Sequence, residues 1–238
     1  MRLRNERSTD TYPFTLPVVR GLHTLCLPTP VTFFVGENGC GKSTLLEAIA
    51  VNFGFNAEGG SRHFNFATQE THTSLHQHIA LGKGPAPRDG YFLRAESFYN
   101  VATEIERLDS APSFDPPVTD AYGGKSLHAQ SHGESVMSLV THRFFGEGLY
   151  ILDEPESALS PSRQMALLAH IHTLVAQGSQ FIIATHSPIL MAYPGATIFA
   201  ISETGIAPSA YRDTEHYLVT RAFLNNTDDM LAQLLAEE

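Results

Sequence analysis

Several short stretches of the chain are apolar without alternation, and each gives way at once to polar or Gly-rich residues: VTFFV (31–35), LYILDE (149–154) and QFIIATHS (180–187). A strand covered on one face alternates, whereas a strand covered on both does not, so these runs predict buried strands of a parallel sheet. After the first of them, GENGCGKS (36–43) is a Gly-rich turn, and STLLEAIAVNF (43–53) repeats apolar residues at helical spacing. PSRQMALLAHIHTLVAQGS (161–179) reads as a helix with Pro161 at its start and Gly178 at its end. YFLRAESFYN (91–100) predicts a strand running into a helix, ATIFAISETGIAPSAY (196–211) a closing hairpin, and TRAFLNNTDDMLAQLLAEE (220–238) ends in an amphipathic helix. The Gly-, His-, Asn- and Thr-rich stretch 54–90 and the Pro/Gly-rich stretch 109–126 read as irregular. No internal repeat or long heptad run interrupts this order. Strands alternating with helices predict an α/β fold with a mostly parallel core sheet. We expect one domain over 1–238, an antiparallel β portion near the N-terminus, and a helical or irregular lobe inserted over roughly residues 55–145.

Composition narrows the function classes. With 42% hydrophobic and 17% charged residues the chain is ordinary for a globular protein. No run approaches the roughly 20 apolar residues that span a bilayer, and MRLRNERSTDTYPF lacks the apolar region of a secretory signal. Cys26 and Cys40 are too few for a disulfide framework and fit a reducing cytoplasm, the expected location. A net charge of -10 with Lys42, Lys83 and Lys125 as the only lysines argues against broad nonspecific binding of nucleic acid. Arg2, Arg4 and Arg7 form the densest basic run and read as a solvated terminus.

The chemistry begins at residue 36. Gly36-Glu37-Asn38-Gly39-Cys40-Gly41-Lys42-Ser43 matches G-x-x-x-x-G-K-[ST] in full, between a strand and a helix. In such a loop the glycines let backbone N–H groups turn toward phosphate oxygens, and the helix N-terminus, with Thr44 in its first turn, faces the same anion. Lys42 would reach the β- and γ-phosphates of ATP and the Ser43 hydroxyl would bind Mg²⁺. Asp153 and Glu154 end an apolar strand, where ligands bind in open α/β sheets; Asp153 suits the metal and Glu154 a general base. His186 ends a further strand in the same way and can touch the γ-phosphate or the attacking water. Cys40 is either a small tolerated residue or a thiol whose oxidation would block phosphate. His72, His76 and His78 could place two imidazoles on one helical face for zinc, but no cysteine or acid stands at ligand spacing, and a solvated polar segment is the plainer reading. Ser131-His132-Gly133-Glu134-Ser135 fits a capping box at a helix start.

In this order, GENGCGKST, SHGES, YILDEPESALS and ATHSP, the motifs resemble those of the ATPase heads of the ABC superfamily, which include transporter nucleotide-binding subunits and SMC-like DNA-maintenance ATPases. The resemblance runs from roughly residue 12 to 202 and is more specific to stand-alone bacterial predicted ATPases of the AAA-21 kind. It implies ATP hydrolysis by two chains closed head to tail, with Ser131, Gly133 and Glu134 completing the partner's site and ESALS (156–160) crossing the interface. It departs from the usual pattern at His132, where a second glycine is common, and at Glu134, more often Gln. It also implies a metal-linked Gln after a strand, a place taken here by Glu96, for which a surface or structural acid is the equal alternative. Tyr12 or Phe14 would stack on adenine, or serve as a core aromatic. The partner is expected to be a soluble effector or nucleic acid in genome maintenance or defence; the alternative is a separately encoded membrane permease.

Overall fold

The computed structural model describes residues 1–3, 11–62, 73–82, 84–112 and 114–236. In chain order the strands are β1 (Arg2–Leu3), β2 (Val31–Gly36), β3 (Ile79–Ala80), β4 (Asp89–Arg94), β5 (Gly148–Asp153), β6 (Gln180–Ala184), β7 (Thr197–Ser202) and β8 (Gly205–Ser209). The α-helices are α1 (Pro17–Arg20), α2 (Lys42–Asn52), α3 (Leu75–His78), α4 (Phe98–Ser110), α5 (His132–Arg143), α6 (Pro161–Ala176), α7 (Pro188–Met191), α8 (Glu215–Asn225) and α9 (Thr227–Leu234).

Six strands form one sheet in the order β4-β5-β6-β2-β7-β8, parallel throughout except for the antiparallel β8. The unalternated runs have the expected cause, because both faces of this sheet are buried. Phe33, Leu152 and Ile183 point into one apolar cluster with α4, α5 and α6, while Phe34, Ile151 and Ile182 point into another with α1 and α2. The two clusters make a three-layer α/β/α body, as expected of helices packed on both faces of a parallel sheet.

The helices that cover the sheet show their period plainly. In α4 the buried residues are Phe98, Val101, Ala102 and Ile105, and in α6 they are Leu167, Ile171 and Leu174, each set a single stripe. Pro161 opens α6 behind the N-cap Ser160, and Gly178 follows its end with φ of 85°. The hairpin expected at 196–211 is the β7–β8 pair. The amphipathic helix expected at the end of this stretch is α9, set off from α8 at Asn226, whose φ of -138° is not helical.

Two expectations are refined. Among the described residues, the antiparallel portion near the N-terminus is a two-residue ladder between β1 and β3. Residues 55–145 are not wholly an inserted lobe: β4 lies within them and pairs with β5 from Asp89↔Gly148 to Arg94↔Asp153, so this stretch supplies an edge of the main sheet. Its apolar DGYFLR core is buried by the same layers as the other strands. Arg4, Arg7, Lys83 and His72 lie outside the described residues.

Candidate ATP site

Parallel strands bring their C-terminal ends to one edge. β6 lies between β2 and β5, in register Phe34↔Ala184 and Asp153↔Ala184, so the turn after β2, the acids after β5 and the histidine after β6 share one rim. The 110-residue separation of Ser43 and Asp153 closes to a hydrogen bond, Ser43 Oγ donating to Asp153 Oδ1 at 3.1 Å.

The turn itself needs glycine. Gly36 has φ of 152° and a Cβ there would lie 2.4 Å from the Ile201 carbonyl oxygen; Gly41 has φ of 99° and a Cβ would lie 2.6 Å from Val18 Cγ1. The loop is therefore pressed between β7 and α1, and Gly41 caps α2, leaving the first N–H groups of that helix without intrahelical acceptors. Lys42 is buried, and its Nζ donates to the carbonyls of Gly36 (2.7 Å) and Glu37 (3.1 Å). Its cation thus spans the loop that the glycines shape. Cys40 is a buried free thiol 4.0 Å from Lys42 Nζ.

Asp153 is 4% exposed, and burial pushes its carboxyl up to about 7 against the weaker opposing pull of Ser43 and Arg94. A buried carboxylate beside a hydroxyl, its charge only weakly offset by Arg94, is an acceptor suited to a divalent metal. Glu154 sits in the left-handed region, φ 51° and ψ 51°, with its N–H bonded to Ala184 O at 3.0 Å. A non-glycine residue there costs about 1 kcal/mol, and the bend turns the side chain out of the strand toward His186, whose Nε2 lies 3.3 Å from Glu154 Oε1. Burial and then Lys42 hold His186 below the usual imidazole range, only partly offset by Glu154, so its ring is neutral at neutral pH.

Two side chains that sequence reasoning did not single out complete this cluster. Glu156 Oε1 accepts from the His186 backbone N–H at 2.6 Å, and burial raises its carboxyl. His216, from the first turn of α8, places Nε2 2.9 Å from His186 Nδ1. Glu156 stood inside a stretch noted for other reasons, and nothing near His216 marks it in the sequence.

The remaining expected residues fall around the rim. Tyr12 is exposed, with its hydroxyl 3.4 Å from Thr44 Oγ1, whereas Phe14 packs edge-on to His78 beside the second core cluster. Glu96 is largely exposed and pairs with Arg94 at 3.4 Å; its charge still reaches Asp153 and raises it. Arg94 also binds the buried Glu47 at 3.1 Å, and Glu47 accepts from Thr73 N at 2.9 Å. His76 is tied to Thr73 O through Nδ1 at 2.9 Å, and among the described residues no group of three or more His, Cys, Asp or Glu could hold a metal ion.

Ser131, Gly133 and Glu134 lie elsewhere, at the start of α5. Ser131 is the exposed N-cap, and Glu134 Oε2 accepts from its N–H at 3.0 Å and its hydroxyl at 2.6 Å. That hydroxyl, first among several contacts, holds the Glu134 carboxyl below its usual range, and Arg163 Nη2 stands 3.5 Å away. Gly133 is buried against the segment 156–160: a Cβ would lie 2.5 Å from Ala158 O. None of the hydrogen bonds or ion pairs of these three residues reaches the chain's own phosphate loop.

Two family models match the chain, "AAA domain" over residues 14–100 and "AAA domain, putative AbiEii toxin, Type IV TA system" over residues 122–192. The cobalt import ATP-binding protein CbiO of Salmonella typhimurium is 26% identical over 190 residues, 71% of this chain and 66% of that protein. The ribose import ATP-binding protein RbsA of Jannaschia sp. is 26% identical over 198 residues, 72% of this chain and 36% of that protein. The chain thus spans between about a third and two thirds of the length of these curated relatives. Among solved structures, CbiO1 from Clostridium perfringens shares 16% identity over 86% of this chain and 87% of that one, with a TM-score of 0.42. The SMC head domain from Thermotoga maritima shares 17% over 78% of this chain and 92% of that one, with a TM-score of 0.40. No helix among the described residues is long and apolar enough to cross a membrane. The motif order, the strand interposed between the phosphate loop and the acidic strand, the two AAA-domain matches and the import relatives agree that this chain is similar to ABC-type ATP-binding proteins.

Proposed function

We propose that this chain hydrolyses ATP as one of two heads that close head to tail, and that closure gates a soluble partner such as an effector of genome maintenance or defence. The observation that carries the reading is the convergence of Lys42, Ser43, Asp153, Glu154 and His186 on one sheet edge, tied by the Ser43–Asp153 contact of 3.1 Å and the Glu154–His186 contact of 3.3 Å. The phosphate loop, Gly36 to Thr44, cradles the triphosphate, and Lys42 leaves the Gly36 and Glu37 carbonyls for phosphate oxygens. Ser43 and Asp153 would hold Mg²⁺, with Glu96 near enough to act on it through the field it already exerts on Asp153; the metal would supply neutralisation of the phosphate charge.

Water attacks the γ-phosphorus in line. Glu154 takes the proton as the new P–O bond forms, and the bond to the ADP oxygen breaks with its electron pair leaving on ADP. Positioning and charge stabilisation provide the rate, with about 10²–10⁴-fold from the base. His186 hydrogen-bonds the terminal phosphate or the water. Tyr12, exposed beside Thr44, is the better placed aromatic for adenine, since Phe14 is occupied in packing.

Ser131 and the Gly133 backbone act on the nucleotide of the second copy. The exposure of Ser131 at the N-terminus of α5, away from its own phosphate loop, supports that role, and the pairing of Glu134 with Ser131 and Arg163 offsets the charge that would otherwise oppose ATP. A second reading, the motor of a membrane importer with its own permease, is supported by the import ATP-binding relatives.

Glu154→Gln tests the chemistry. It should bind ATP as the wild type does, hydrolyse it at least ~10²-fold more slowly, and accumulate as a dimer in sedimentation with Mg-ATP. Full turnover in this variant would remove Glu154 as the base. Mass spectrometry of what co-purifies with the ATP-trapped protein separates the readings: a multi-span permease supports transport, and a soluble protein or nucleic acid supports gating.

A further inference from the structure

The ring of His186 is addressed from both sides, and only one of the two contacts belongs to the proposed reaction. Nε2 faces Glu154 Oε1 at 3.3 Å, while Nδ1 faces His216 Nε2 at 2.9 Å, with the two rings tilted by 60° at a centroid separation of 5.0 Å. The backbone N–H of His186 is pinned independently by Glu156 Oε1 at 2.6 Å. The imidazole therefore has a fixed place and orientation, and the open question is which nitrogen carries its proton.

We propose that His216 is a positioning residue that holds His186 in the tautomer with its proton on Nε2. The inference rests on the ATPase reading for its consequence, though not for its geometry. Only one hydrogen sits between His186 Nδ1 and His216 Nε2. Were His186 the donor, its Nε2 would present a bare lone pair to the Glu154 carboxylate, two acceptors 3.3 Å apart. With His216 as the donor, Nε2 carries its hydrogen and the approach to the carboxylate becomes attractive; the 3.3 Å contact is not itself a hydrogen bond, and Nε2 has no hydrogen-bond partner among the described residues. Lys42 beside His186 is a cation and offers Nδ1 no acceptor, and Glu156 Oε1 is engaged with the His186 backbone N–H.

The consequence is a defined donor at the reacting end of the site. An Nε2–H can hydrogen-bond a γ-phosphate oxygen and hold Glu154 in place; an Nε2 lone pair can do neither. His216 comes from α8, a helix with no buried residue of its own, so the C-terminal segment contributes to the site through its first turn. Its neighbour Thr214 is the anchor, buried with its hydroxyl donating to Tyr211 O at 2.8 Å.

Two replacements separate hydrogen bonding from packing. His216→Phe keeps a ring but no donor, and His216→Gln puts an amide N–H₂ near the place of Nε2. Nitrogen-15 NMR of the imidazole in the nucleotide-free protein should show His186 as a single Nε2–H tautomer in the wild type. It should show a mixture, or the Nδ1–H form, in His216→Phe, and the wild-type form in His216→Gln. Turnover should fall five- to fifty-fold in His216→Phe with ATP affinity within twofold, stay within threefold in His216→Gln, and fall no further when His216→Phe is added to His186→Ala. An unchanged tautomer in His216→Phe, or equal damage from both replacements, overturns the proposal. If the wild type itself hydrolyses no ATP, the ATPase reading fails, and the tautomer measurement still decides the role of His216.

Discussion

Replacing Asp153 with Asn should stabilise the nucleotide-free protein while abolishing its hydrolysis. The carboxyl is 4% exposed, and burial moves it from an ordinary 3.8 to about 7. An acid raised in the folded state binds its proton more tightly there than in the unfolded chain. Its contribution is therefore greatest when both states are protonated, below about pH 4, and is lost as pH rises toward the folded value near 7. At about 1.4 kcal/mol per pH unit, the ionised side chain costs the empty protein about 4 kcal/mol above pH 7. Asn carries no charge and keeps an Oδ1 that accepts from Ser43, so it escapes most of this cost. Allowing for imperfect replacement, a gain of about 2–4 kcal/mol should raise the melting temperature by about 4–16 °C in a domain of this size. The assay is thermal unfolding of both proteins between pH 4 and 8.5 without nucleotide or metal. Their difference should be near zero at pH 4, open steadily, and level off above pH 7, since every other titration is common to both. A difference that is independent of pH, or a wild type that is the more stable at pH 8, would refute the reasoning. With Mg²⁺ and ATP the order should reverse if Asp153 has its proposed role, because only the wild type then keeps a carboxylate for the metal.

Further expectations follow from packing. Arg94→Ala should destabilise the protein by about 3 kcal/mol in urea titration, because it leaves the buried Glu47 without its cation. Adding Glu47→Gln should restore much of that loss, and an undiminished stability in Arg94→Ala alone would show the pair to be unimportant. Gly133→Ala should cost about 1–3 kcal/mol, because the new methyl would meet Ala158 O at 2.5 Å and Arg163 Nη1 at 2.6 Å. Thermal unfolding checks this, and a variant as stable as the wild type would mean that the α5–α6 contact yields easily.

Much of the framework was legible along the chain. Runs such as VTFFV and QFIIA carry no alternation because both faces of their strands are buried, and that property is local to each run. The phosphate loop is equally local: its glycines, Lys42 and Ser43 stand within eight residues, and the strand and helix on either side are set by their own periodicity. The capping box of Ser131 and Glu134 spans a single helical turn and was read for the same reason. Burial patterns, however, say that a strand is covered and not which strand lies beside it. The place of β6 between β2 and β5, and the membership of β4 in the sheet rather than in an outlying lobe, came only with the pairing of distant segments. The same limit applies to partners. Glu47 finds Arg94 across 47 residues and His186 finds His216 across 30. No periodicity links such pairs, because their meeting depends on where whole helices and strands dock. The chemistry of the phosphate loop is thus written in contiguous sequence, while the surroundings that raise Asp153, turn Glu154 and orient His186 exist only once the layers have packed.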